Sequence, residues 1–199
     1  MSPFKMKPMS RKQFRVASAF ALLLIAQGCG GSLFKVKPFV RGPMPDTAKQ
    51  TDVGGLTVSA VPLLTDEENQ ELFETSLPLD GILPVRIEFV NNTNAEINLS
   101  KAQIKMHNDD GEWKFLTVKQ TVARILKATE TSVYNPDSRK KFTKELGAYS
   151  LDTKTGLAVS ERRQGFVFLR APGKNQVESP RGLILTIEKL EKPIEIRLN

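Results

Sequence analysis

The feature that most restricts how this chain folds is a two-residue rhythm of apolar and polar side chains, repeated in short segments between turns. Leu56, Val58 and Ala60 alternate with Thr57 and Ser59, and Val85, Ile87 and Phe89 alternate with Arg86 and Glu88. Successive side chains of a strand point to opposite faces, so this rhythm predicts strands that are dry on one side and wet on the other. Asn91-Asn92-Thr93-Asn94 reads as a polar turn; Ile97 and Leu99 open the next strand, and Ile104 and Met106 another. Asn108-Asp109-Asp110-Gly111 is a hairpin signal, because Gly111 tolerates a positive φ. Trp113 and Phe115 return along the second arm. Gly165-Phe166-Val167-Phe168-Leu169 is apolar on both faces, as a central strand would be. Leu183, Leu185 and Ile187 follow, and Ile194, Ile196 and Leu198 complete the pattern.

Eight or nine such strands predict a mainly β domain over residues 54–199, an antiparallel sandwich or barrel. Residues 82–99 and the block Arg163-Gln164-Gly165-Phe166-Val167-Phe168 resemble strands of immunoglobulin-like domains in bacterial surface proteins. That resemblance implies an immunoglobulin-like β-sandwich. Helices interrupt the rhythm. Thr65-Asp66-Glu67-Glu68 has the form of a capping box and predicts a short helix to about Phe73. After Thr117, the residues Val118, Val122, Ile125 and Leu126 share one helical face. Residues 137–146 predict a further helix with Phe142 and Leu146 turned inward. Residues 117–150 are thus expected to form a helical insertion between strands.

The N-terminus has a different construction. Residues 1–15 carry Lys5, Lys7, Arg11, Lys12 and Arg15 and no acid; residues 16–26 are an uncharged apolar run of eleven. A helix of eleven residues is about 16 Å long, roughly half the hydrocarbon thickness of a bilayer, so a cleaved export signal is expected instead of a spanning anchor. The formal charge of +7 mostly describes this segment: without its five cations, 24 basic residues face 22 acidic ones, a net of +2. Ile25-Ala26-Gln27-Gly28-Cys29 resembles the lipobox of bacterial lipoproteins, with Gly28 and Cys29 in the family pattern and Gln27 a departure from it. The resemblance implies cleavage between Gly28 and Cys29 and acylation of Cys29, hence a membrane attachment through acyl chains. Gly30 after the cysteine favours the outer membrane over the inner one. Residues 29–53, with Pro38, Pro43 and Pro45 and no sustained period, are expected to be the lipidated cysteine and a mostly loose, flexible tether, the alternative being that Leu33, Phe34, Val36, Phe39 and Val40 dock on the domain or lie at the lipid interface.

Chemistry-bearing motifs are sparse. Cys29 is the only cysteine and His107 the only histidine, which leaves a zinc site without its ligand set. Asp109 and Asp110 lack the closing glutamate of an EF-hand, since position 120 is Gln. No P-loop, dinucleotide fingerprint or nucleophile elbow is present. The expectation is a non-enzymatic binding or scaffolding module with no cofactor and no metal. The alternatives are an envelope enzyme using paired carboxylates and a carrier of lipid or another small ligand. The best candidate contact surface is a basic patch of Lys119, Arg124, Lys127, Arg139, Lys140, Lys141 and Lys144, for an envelope protein or an anionic polymer. Few aromatic residues accompany these cations, which argues against nucleic acid.

Overall fold

The alternating segments pair so that their apolar faces leave water. The computed structural model describes residues 34, 36–129, 131, 135–174 and 176–199, so the expected signal segment and Cys29 lie outside the described residues. The strands and helices follow in the order β1 (Lys49–Val53), β2 (Leu56–Pro62), α1 (Asp66–Phe73), β3 (Ile82–Asn91), β4 (Ile97–Asn98), β5 (Gln103–Asn108) and β6 (Gly111–Leu116). Then come α2 (Val118–Ala128), α3 (Pro136–Gly147), β7 (Gly156–Leu157), β8 (Arg162–Arg170), β9 (Ile184–Glu188) and β10 (Ile194–Arg197).

Eight strands form one antiparallel sheet in the order β1-β2-β3-β8-β6-β5-β9-β10, and β4 pairs with β7 apart from it. The end strands β1 and β10 come into contact, so the sheet nearly closes into a barrel. The fold is mainly β with three short helices among the described residues. Strand β6 makes the sheet turn. It leaves the hairpin at Asn108↔Gly111, with Gly111 at φ +127°, and pairs with β5 as far as Trp113. Its last residues, Lys114–Leu116, pair with β8 instead. The gap this opens beside β5 leaves Phe115 47% exposed, whereas Trp113 on the same arm is buried.

Two apolar clusters sit on opposite faces of the sheet. The inner one collects Val58, Val85, Ile87, Phe89, Val167, Leu169, Leu185, Ile187 and Ile196, among others. The outer one is formed by Phe73, Ile82, Leu116, Phe166 and Phe168 with Val122, Ile125, Phe142 and Leu146 of the helices. Strand β8 therefore supplies Val167 and Leu169 to one side and Phe166 and Phe168 to the other, as its two-faced sequence predicts. Fully burying such a side chain contributes about 1.5–3 kcal/mol, so the outer layer is a second core and not a surface covering.

Helix boundaries follow the caps. Thr65 and Glu68 form the expected capping box of α1, Thr117 and Gln120 form another at α2, and Asn135 caps α3 ahead of Pro136. Strand pairing corrects the expected tether. Lys49–Val53 is a strand paired with β2, because Gln50, Thr51 and their neighbours satisfy their backbone groups there. Phe34 and Val36 are buried in the outer cluster, where Phe34 stacks on Phe142 at 5.0 Å between ring centroids. Their apolar surface offsets the ordering entropy that a proline-rich segment would otherwise leave unbalanced.

Candidate functional site

Helices α2 and α3 lie on the outer face of the sheet and turn their apolar stripes toward it. Thr121, Val122, Ile125 and Leu126 of α2 are buried, as are Phe142 and Leu146 of α3. Residues three and four apart share a helical face, so the charged positions between these stripes project away from the core. Lys119, Pro136, Arg139, Lys140, Thr143 and Lys144 line an open groove of about 540 Å³. Among the described residues none of its four cations has an acidic partner within 4.0 Å.

The other three cations of the expected patch are placed differently. Arg124 is half-buried, and its Nε donates to the backbone carbonyl of Asp80 at 2.6 Å. Burial lowers its pKa, the nearby Arg170 lowers it further and Asp80 opposes both. Lys127 is exposed in the last turn of α2, where a cation suits the negative end of the helix dipole. Lys141 pairs with Glu145 one turn on, at 3.8 Å. The patch therefore resolves into four cations on one groove and three with other roles. Asp80 is the counterpart of Arg124: burial pushes its carboxyl up to about 6, against the pull of Arg124. Its Oδ2 is buried with no hydrogen-bond partner among the described residues.

Two polar constellations carry no signal in the alternating pattern. Arg163 on β8 is 8% exposed and uses its whole guanidinium. It donates to the carbonyls of Asp152 (3.2 Å), Thr155 (2.9 Å) and Gly156 (2.6 Å) and to Glu161 Oε1 at 2.9 and 2.7 Å. Glu161 in turn accepts from the Ala158 amide at 2.8 Å, and that bond together with Arg163 holds its carboxyl below the usual range. The second constellation fastens the N-terminal segment to the sheet. Arg86 and Gln164 both donate to the Gly42 carbonyl at 2.8 Å, and Gln164 also donates to the buried Glu88. Arg86 and Glu88 read as solvent-facing in the sequence, but the outer face they occupy is covered.

The remaining candidates stand apart. His107 is exposed on β5, in register with Glu112 and Ile184. Asp109 and Asp110 form the two-residue hairpin turn, where Asp110 accepts from Asn108 at 2.8 Å and Asn108 accepts from the Trp113 indole at 3.1 Å. Among the described residues no group of three or more His, Cys, Asp or Glu is placed to hold a metal ion. A cleft of about 670 Å³ marks the seam near β1 and β10, with Val53, Leu56, Ile97 and Ile194 beside Lys101 and Lys192 in its lining. No helix among the described residues is long and apolar enough to cross a membrane. No family model matches the chain, and comparison with curated proteins and with solved structures found no match.

Proposed function

We propose that the chain is a lipid-anchored bacterial envelope protein that acts as a non-enzymatic binding or scaffolding module. The observation that carries this reading is a lone cysteine, Cys29, placed directly after Gly28 at the end of a basic segment and an eleven-residue apolar run. Acylation there would add about 0.8 kcal/mol of membrane affinity for each buried methylene, and two or three chains hold where one does not. The protein then resides at the outer membrane, facing the periplasm or the cell surface. The near-closed sheet, folded over at β6, fits an immunoglobulin-like sandwich whose two halves share the inner cluster. The groove between α2 and α3 is the contact surface.

Replacing Cys29 with Ala tests the anchor. The unmodified chain should partition with membranes and carry acyl mass on an N-terminal Cys29, whereas the Cys29→Ala variant should be recovered in the soluble envelope fraction. Membrane retention of that variant, or a mature chain that keeps residues 1–28, would refute the reading.

A further inference from the structure

Four cations converge on one groove, and the groove's shape and lining restrict what can neutralise them. We propose that the cleft between α2 and α3 binds a linear polyanion with phosphate as its repeating charge and no bases. This rests on reading the groove as the contact surface and gives that surface its ligand chemistry.

The cations come from both walls. Lys119 stands on α2, and Arg139, Lys140 and Lys144 stand on α3. Lys140 and Lys144 are one helical turn apart, a spacing at which like charges repel. Elsewhere on the body, Lys105 pairs with Glu188 at 2.7 Å and Arg163 with Glu161 at 2.7 Å. The groove cations lack such relief among the described residues. Lys119 and Pro136 also sit in the first turns of their helices, where the backbone dipoles add positive potential.

The form of the site separates the anionic ligands. The four cations are exposed along an open groove of about 540 Å³, to which α2 contributes Lys119 and α3 the other lining residues. A chain lying along it meets cations of both helices. A planar carboxylate aligns with one guanidinium fork, but the oxygens of a tetrahedral phosphate face several directions. They can bond Arg139 on one wall and Lys119 on the other together. Among the described residues no aromatic ring lines the groove, and bases find no stacking platform on Lys119, Pro136, Arg139, Lys140, Thr143 or Lys144. The stems of the lysines and the ring of Pro136 supply the apolar surface along which a polymer backbone can run.

The test uses the full chain in non-ionic detergent and linear inorganic polyphosphate as the probe, with binding followed by calorimetry at several salt concentrations. Four neutralised phosphates predict a slope of log affinity against log salt of about −3. Reversing Arg139, Lys140 and Lys144 to Glu should weaken binding at least about tenfold and flatten the slope by about 2. Reversing Lys49, Lys101 and Lys192, which changes the net charge equally but elsewhere, should leave affinity within about threefold. Lys140→Gln alone should flatten the slope by about 0.7, and it settles the matter if the triple variant does not fold. Equal losses in the two triple variants, or no polyphosphate binding, would overturn the proposal. Tighter binding to single-stranded oligonucleotide of equal charge, or to anionic phospholipid vesicles, would also overturn it. Cys29→Ala leaves polyphosphate binding intact under the proposal, so failure of the anchor and failure of the groove are read separately.

Discussion

The two faces of the sheet are packed with different materials. Inside, aliphatic side chains from β2, β3, β5, β8, β9 and β10 meet one another, and Phe89 and Trp113 are the aromatic rings among the buried residues. Outside, Phe34, Phe73, Phe142, Tyr149, Phe166 and Phe168 share the space beneath the helices. Their rings meet at centroid separations of 5.0 to 6.0 Å, with Phe73 edge-on to both Phe166 and Phe168. Facing strands present side chains at regular intervals, which branched aliphatics fill. The wedge between a curved sheet, three helices and an extended segment is irregular, and large rings tile it better. The inner core is also held by strand ladders, whereas the outer one hangs largely on side-chain contacts. Such a layer opens at lower free energy than the sheet beneath it.

The largest effect should come from removing one ring on each side. Phe166→Ala deletes the contacts of that ring with Phe39, Phe73 and Tyr149, and Phe89→Ala empties a fully buried position inside. Each should cost about 3–5 kcal/mol in denaturant unfolding. Hydrogen exchange should tell them apart: Phe166→Ala exposes amides of α2 and α3 first, while Phe89→Ala lowers protection throughout the sheet. Identical exchange patterns would erase the distinction between the layers.

A smaller effect is expected where the two layers are stitched together. The segment after α3 runs beside β8, with Leu151 donating to the Phe166 carbonyl at 3.0 Å and Phe166 donating to the Tyr149 carbonyl at 2.6 Å. A Cβ on Gly165 would lie 2.4 Å from Leu151 Cα, so Gly165→Ala must push that backbone away. The expected loss is about 1–3 kcal/mol, with protection falling on both sides of β8 together. An unchanged unfolding midpoint would mean that the seam yields freely.

The smallest effect concerns Asp80, beneath α2. Its folded pKa of about 6 lies above the ordinary carboxylate value of 3.8, so the folded state holds the proton more tightly than the unfolded chain. Stability should therefore fall as pH rises from about 4 to about 6. Because the group is half-exposed, solvent screening reduces the penalty at neutral pH to about 1 kcal/mol. Asp80→Asn should raise the melting temperature at pH 7 and leave it unchanged at pH 4. An equal rise at both pH values would show that charge burial is not the cause.

The alternating pattern made the inner layer legible because its cause is local: Leu56, Val58 and Ala60 show their face whatever they pack against. Val122, Ile125, Phe142 and Leu146 likewise announced the helical faces. The outer cover was less visible. Phe34 and Val36 were legible as apolar residues able to dock on the domain, but they lie among prolines with no period, and what decides their burial is α3, more than a hundred residues away. Arg86 and Glu88 matched the polar half of an alternating strand, which is true of their face but not of its exposure. The basic patch was visible as composition. Which cations share a groove depends on how α2 meets α3, and on Asp80 claiming Arg124 from 44 residues upstream.

The guanidinium of Arg163 has a consequence for how residues 152–161 tolerate change. One side chain from β8 reads three carbonyls and a carboxylate, so a single cation ties the whole loop into a knot. Its partner Glu161 holds its negative charge into more acidic conditions than an ordinary glutamate, because the Ala158 amide and the guanidinium both bond the carboxylate. Mild acidification therefore leaves the knot tied. A lysine there, with a compact ammonium in place of the planar fork, would not span the same acceptors.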